Sequence, residues 1–219
     1  SLKNKKILVT GGAGFIGSNL CDYLVNIGAE VRCLDNFSTG HLHNIQSLLK
    51  IKNFTLIEGD IRDIKICQLA CKGVDYVLHQ AALGSVPRSI ADPITSNEVN
   101  VSGFLNMLVS AKDQGVKRFI YFSTAHVYGD LVGRINEKTI PRPTHPYAIT
   151  HHVAEDFILA AHDSNKIKGI VFRLSNGFGV PERLAVNRWT LIVNELCKQV
   201  VTSRKLVLRS SGMQRRDFI

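Results

Sequence analysis

Hydrophobic and polar positions follow two alternating periods along almost the whole chain. Short apolar runs at 7–9, 31–34, 54–58, 74–79, 116–123 and 170–174 predict buried strands, most of them closed by glycine, aspartate or a hydroxyl residue. Between these runs the apolar residues recur at helical spacing. Phe15, Ile16, Leu20, Tyr23, Leu24 and Ile27 mark a first helix, and 45–50 and 61–71 predict shorter ones. Asp92-Pro93 opens a long helical run through Val99, Phe104, Leu105, Leu108 and Ala111. Prolines at 141, 143 and 146 mark an irregular loop before a helix over 147–161. A helix through Trp189, Ile192 and Leu196 and a short strand at 206–208 complete the pattern. Strands alternating with helices predict an α/β fold, a doubly wound parallel sheet that accounts for the chain up to about residue 175.

The first strand–helix junction carries the clearest chemistry. In Thr10-Gly11-Gly12-Ala13-Gly14-Phe15-Ile16-Gly17, the residues Gly12, Gly14 and Gly17 meet a G-x-G-x-x-G spacing. Gly11 adds a G-x-x-G-x-x-G reading of the same loop. Such a loop needs a tight turn, a Cβ-free surface for a pyrophosphate and close helix–strand packing, with the phosphate on free N–H groups at the positive end of the helix. The second strand ends at Asp35, eighteen residues beyond Gly17. A carboxylate there accepts both hydroxyls of an adenine ribose and repels a 2′-phosphate, so NAD is expected over NADP. The competing reading is a glycine-rich turn in an unrelated α/β protein.

Composition narrows the partners. With 219 residues the chain suffices for one large α/β domain or one domain and part of another. Lys and Arg total 27 against 18 Asp and Glu, a formal charge of +9. The basic residues are scattered, and the densest cluster, Arg215-Arg216, has no aromatic residues interleaved. A nucleotide is therefore expected as partner, not nucleic acid. No window approaches eighteen consecutive apolar residues, and the start runs straight into the first strand without room for a secretory segment, so no membrane partner and a cytoplasmic location are expected. The five cysteines, 21, 33, 67, 71 and 197, form no C-x-x-C pair, and Cys67 and Cys71 lack nearby co-ligands. They read as reduced core thiols with no metal site.

Two polar positions lie where ligands bind in such sheets, beyond the carboxyl ends of the strands. The fifth strand delivers Thr124, and Pro146-Tyr147-Ala148 opens a helix. A hydroxyl and a phenol there can converge on one substrate oxygen, and a tyrosine, with an ordinary pKa of about 10, acts as a base where positive charge supports its phenolate.

In these residues the chain resembles the extended short-chain dehydrogenase/reductases that act on nucleotide sugars. The resemblance rests on the loop Thr10 to Ser18, Asp35-Asn36, Gly59-Asp60-Ile61-Arg62-Asp63, His79-Gln80-Ala81-Ala82, Asn100-Val101-Ser102-Gly103, Val127-Tyr128-Gly129, Pro146-Tyr147-Ala148 and Arg216-Asp217-Phe218. Leu83-Gly84-Ser85-Val86-Pro87-Arg88-Ser89-Ile90 followed by Asp92-Pro93 looks most like UDP-N-acetylglucosamine 4-epimerases. The resemblance implies a Rossmann domain over 1–175 and the start of a substrate-binding portion over 176–219. It implies a 4-epimerase of a UDP-hexose or UDP-N-acetylhexosamine, working with NAD through a transient 4-keto sugar. Gly11, Gly14, Phe15 and Ile16 would hold the pyrophosphate, Asp35 the adenine ribose, and Asp60 and Ile61 the adenine, with Asn36 also touching the cofactor. Ala81 and Ala82 would line the cofactor channel. Thr124 would bond the sugar 4-oxygen and Tyr147 would exchange its proton, while Gly84, Ser85, Asn176 and Arg216 would touch the sugar and its phosphates. A homodimer through the helices at 93–111 and 147–161 is also implied.

Two departures qualify the resemblance. The family's Tyr-x-x-x-Lys is here Tyr147-x-x-x-His151, and no tyrosine in the chain has a lysine four residues later. A histidine there lies on the same helix face and can donate to the nicotinamide ribose, but its ordinary pKa is about 6.5. A protonated His151, slow catalysis and NAD binding without turnover are the three alternatives. The Asp-Glu pair of the 4,6-dehydratase branch is replaced by Ala125-His126, which removes the acid/base pair for elimination. A reductase, a decarboxylase and a non-catalytic NAD-binding scaffold are the other readings. The chain stops at Ile219, where relatives of this kind continue, so part of the substrate pocket is expected to be missing.

Overall fold

A computed structural model describes residues 1–130, 133–179, 191–208, 210–213 and 218. Its six strands are β1 (Lys6–Thr10), β2 (Glu30–Asp35), β3 (Phe54–Glu58), β4 (Tyr76–His79), β5 (Arg118–Thr124) and β6 (Gly169–Leu174). They form one sheet in the order β3-β2-β1-β4-β5-β6, parallel throughout, which is the strand order of a Rossmann fold. The order reverses at β1, where Thr10 lies opposite Leu34 of β2 on one side and His79 of β4 on the other.

The apolar runs are continuous because both faces of the sheet are covered. In β1, Ile7 and Val9 pack on one face with Cys21, Leu24, Val31 and Cys33, under helix α1 (Phe15–Asn26). Leu8 points to the other face and joins Phe104, Met107, Phe119, Tyr121 and Ile158. That core lies under α2 (Ile64–Cys71), α5 (Phe104–Asp113) and α6 (Pro146–Asp163). Each predicted strand from 7–9 to 170–174 is present, displaced by no more than two residues at either end.

The departures lie between these elements. Residues 86–91, given no element by periodicity, form α3 (Val86–Ala91), started by the Ser85 hydroxyl accepting from the Arg88 N–H and by Pro87 in the first turn. The run from Asp92 is not one regular helix: α4 (Pro93–Asn97) passes through a π-helical segment, Glu98–Gly103, into α5. Helix α2 begins at Ile64, not at 61, because the Asp63 carboxylate caps it by accepting from the Lys65 N–H. Segment 45–50 becomes two short 3-10 turns, Leu42–Ile45 and Leu48–Lys50. The strand expected at 206–208 does not form: Leu206, Val207 and Leu208 are exposed, and no strand among the described residues pairs with them. Helix α7 (Ile192–Ser203) matches the predicted last helix, Trp189 lying outside the described residues. Four cysteines are buried free thiols, with Cys67 and Cys71 pushed up to about 12 by burial, but Cys197 is exposed on α7 and is no core thiol.

A buried ion pair fixes α6 to the sheet. Glu155 is fully buried, and its carboxylate accepts from Nε and Nη2 of Arg173 on β6 at 2.6–3.1 Å. Nη1 of the same arginine donates to the Tyr128 hydroxyl, which donates to the Asn136 carbonyl. Removing one partner of such a pair strands the other charge in the core. Arg173→Leu is therefore expected to lower unfolding stability by about 3–5 kcal/mol, measured by urea denaturation, with the double change Glu155→Gln, Arg173→Leu recovering part of the loss.

Candidate functional site

A cavity of about 340 Å³ runs along the carboxyl ends of all six strands, across the point where the strand order reverses. At its β1 end the glycine loop forms one wall. Gly11 has φ +69°, open to glycine at little cost, and a Cβ on Gly17 would overlap the Gly11 carbonyl oxygen. Gly11, Gly14 and Gly17 line the cavity, whereas a Cβ on Gly12 would point at Cys33 Sγ, 2.5 Å away in the core. The G-x-x-G-x-x-G frame is thus the one presented to a ligand. Helix α1 starts at Gly14 without a side-chain cap, while α2, α3, α4 and α6 all have one. Phe15 and Ile16, whose N–H groups have no intrahelical partner, line the cavity.

The acidic groups are held in place before any ligand arrives. Asp35 accepts from the N–H groups of Ala13 and Phe37, each at 2.8 Å. Burial pushes its carboxyl up, and those two bonds oppose the shift. Asp60 accepts from Arg62 and from the Asn36 amide, which holds its carboxyl down at about 2. The Asn36 carbonyl accepts from the Ser38 N–H, so this side chain is committed to joining the β2 and β3 loops.

Thr124, Tyr147 and His151 reach the same cavity from the β5 side. Thr124 ends β5, and its hydroxyl accepts from the His126 N–H. Tyr147 stands in the first turn of α6, where its N–H donates to the buried Ser89 hydroxyl of α3. One turn on, the Thr150 hydroxyl accepts from the amide of Asn100, and the Asn100 carbonyl accepts from the Leu83 N–H. Helix α3 and the π-helical segment therefore locate the helix that carries the phenol. The Tyr147 and His151 rings meet edge to face, 4.5 Å between centroids, and the His126 ring lies 5.9 Å from that of Tyr147.

The sequence model of the NAD dependent epimerase/dehydratase family matches residues 7–219. The chain belongs to this family. A UDP-N-acetylglucosamine 4-epimerase from Methanobrevibacter ruminantium M1, solved with UDP-N-acetylmuramic acid, is 31% identical, with a TM-score of 0.91 over 99% of this chain and 69% of that one. A putative UDP-glucose 4-epimerase of Methanocaldococcus jannaschii is 30% identical over 97% of this chain and 68% of its own length. A UDP-glucuronic acid decarboxylase 1 of Danio rerio is 34% identical over 98% of this chain and 50% of its own length. The chain thus spans about half to two thirds of such relatives.

NAD is the cofactor of the epimerase/dehydratase family, and the residues present fit it. The glycine cradle, the uncapped α1 and the pre-set Asp35 match a dinucleotide, and three buried polar atoms on the cavity wall, Gln80 Nε2, Ser123 Oγ and His151 Nε2, have no protein partner. Of the residues expected from the sequence, Asp60, Ile61, Ala81, Ala82 and Gly84 also line the cavity. Ser85 does not line it, its hydroxyl being the cap of α3, and Asn176 bridges Phe218 beside the lining residues Ser175 and Gly177. Arg216 lies outside the described residues. Sequence reasoning missed Gln80 and Ser123, and it missed Tyr121 behind His151. Gln80 follows the end of β4 and Ser123 stands at the end of β5, and that position at the carboxyl edge is the signal that would have found them.

His151 is uncharged in this setting. Burial, and then His126, bring its pKa down to about 3. His79 is likewise brought to about 3 by burial and then by His151, and its Nδ1 lies 2.9 Å from the Thr10 hydroxyl. Of the three alternatives for His151, a protonated ring is the one this environment opposes. Unfolded histidines take up protons below about pH 6.5, whereas these two stay neutral until far lower, so acidification stabilises the unfolded chain. Unfolding stability is expected to fall by up to about 3 kcal/mol per pH unit below pH 6.5. Urea midpoints between pH 7.5 and 5 check this, and His151→Gln should reduce the dependence by about half.

Proposed function

We propose that the chain is the NAD-binding part of a nucleotide-sugar 4-epimerase acting on a UDP-hexose or UDP-N-acetylhexosamine. The observation that carries this reading is that Thr124 and Tyr147 stand on the wall of the same cavity as the glycine loop and Asp35. Residues 1–175 are the cofactor domain and 176–219 begin the substrate portion. Gly11, Gly14, Phe15 and Ile16 would seat the pyrophosphate, Asp35 the adenine ribose, and Asp60 and Ile61 the adenine. Bound NAD supplies a hydride acceptor that returns the hydride to the same sugar carbon. Tyr147 would take the 4-hydroxyl proton and give it back, with Thr124 fixing that oxygen and His151 donating Nε2–H to the cofactor ribose. Gly84, Asn176 and Arg216 would meet the sugar diphosphate, the Ser85 hydroxyl being taken by the cap of α3. Ala125-His126 in the place of an Asp-Glu pair speaks against elimination, and the apolar residues exposed on α4, α5 and α6, Ile94, Val109, Ile149 and Phe157, suit a homodimer.

One observation favours a second reading. A neutral His151 gives the Tyr147 phenolate no charge support, as a protein that binds NAD without turnover would not need. NMR of UDP-N-acetylglucosamine with the longest form of the protein separates the two. The epimerase reading expects interconversion of the 4-epimers, a loss of at least about 100-fold in Tyr147→Phe, and a gain of about tenfold in His151→Lys as a permanent charge supports the phenolate. NAD bound with no turnover in any form, His151→Lys included, would leave the binding protein.

A further inference from the structure

The family's lysine position is filled here by a pair of residues, not by one. Tyr121 of β5 is 2% exposed, and its hydroxyl lies 2.6 Å from Nδ1 of His151, the two rings stacked at 5.8 Å. Burial, then Tyr147 and Glu155, raise the phenol well above its ordinary range, so it keeps its proton. Two proton arrangements are open to this pair. With Nδ1–H donating to the phenol oxygen, the phenol proton and the Nε2 lone pair are both left without a partner. With the phenol donating to Nδ1, a single group is left over, the Nε2–H donor. Each buried unmade bond leaves a desolvated polar group uncompensated, so the second arrangement, with one such group in place of two, prevails.

The same logic operates one strand away. The Thr10 hydroxyl oxygen accepts from the N–H groups of Gln80 and Ala81, so its own proton goes to Nδ1 of His79. Both buried rings are thereby set as Nε2–H tautomers by a hydroxyl from the neighbouring strand.

We propose that Tyr121 is a positioning residue: its hydroxyl donates to His151 Nδ1, locks the ring as the Nε2–H tautomer, and so gives the cavity beside Tyr147 a fixed, uncharged N–H donor for a hydroxyl of the cofactor ribose. A lysine would bring charge with a mobile stem. The Tyr121–His151 pair brings direction without charge. The titratable groups facing His151 are Tyr121 on β5, His79 on β4, His126 in the turn after β5 and Tyr147 on α6, with Glu155 one turn further and neutralised by Arg173 of β6. The catalytic sense of the proposal rests on the epimerase reading, but the tautomer and its use in NAD binding do not.

Protein labelled with 15N-histidine tests it. The wild-type spectrum is expected to show His151 with an unprotonated, hydrogen-bonded Nδ1 and a protonated Nε2, unchanged between about pH 8 and pH 5. Tyr121→Phe keeps the ring and removes the donor. It should move the His151 signals towards a tautomer mixture and weaken NAD binding by about two- to tenfold in calorimetry, the loss of one hydrogen bond. In a form that turns over, kcat should fall while KM for the sugar holds. A wild-type His151 carrying its proton on Nδ1, or a Tyr121→Phe spectrum identical to wild type, overturns the proposal, and the wild-type spectrum decides even if the variant does not fold. Absent turnover in wild type would count against the epimerase reading alone.

Discussion

Six parallel strands buried on both faces impose the constraint on which the rest of this protein depends. Every interior strand spends its backbone groups on two neighbours, and its side chains alternate between two apolar layers. Polar chemistry is then pushed to the strand ends. Because all strands run the same way, their carboxyl ends share one edge, and the reversal of order at β1 opens a crevice there. Gly11, Asp35, Asp60, Gln80 and Thr124 are gathered by that geometry from positions spread over more than half the chain.

Helix α6 is the second fixed point, and its anchors differ in kind from the apolar core. Ser89 holds its first turn, Asn100 holds its second through Thr150, and Glu155 ties its middle to Arg173. These bonds are buried and directional, so they set the helix rotation that aims Tyr147 and His151 at the cavity. Stability and site geometry are coupled through them. The π-helical turn at Glu98–Gly103 belongs to the same arrangement, since it carries Asn100 inward and ends at Gly103, whose missing Cβ admits the Ile61 side chain.

The replacement of the family's lysine by His151 takes its meaning from burial. An exposed histidine on that helix face would titrate near neutrality, whereas here desolvation keeps the ring neutral and a buried phenol sets its orientation. Charge support for Tyr147 gives way to a directed hydrogen bond. That difference bears on how the site handles protons, while the cofactor cradle, built from backbone and glycine, is untouched by it.

The six strands, helices α1 and α6 and the glycine loop with Asp35 were legible in the sequence, because each is written in local periodicity or in residues that alone fit a tight turn. The sequence also placed Thr124 at a strand end and Tyr147 at a helix start, with His151 one turn on along the same helix face. Other features were decided only by tertiary structure. The start of α3 rests on a cap and a proline too short-ranged to show as periodicity, and 206–208 is apolar but pairs with no strand among the described residues. Which glycine frame faces the ligand depended on what stands behind Gly12, namely Cys33. The role of Tyr121 was hidden for the same reason: in the sequence it is one aromatic of a buried strand, thirty residues from His151. Hydrogen bonds of that span, and the burial that fixes a histidine's charge, exist only once the strands and helices have packed.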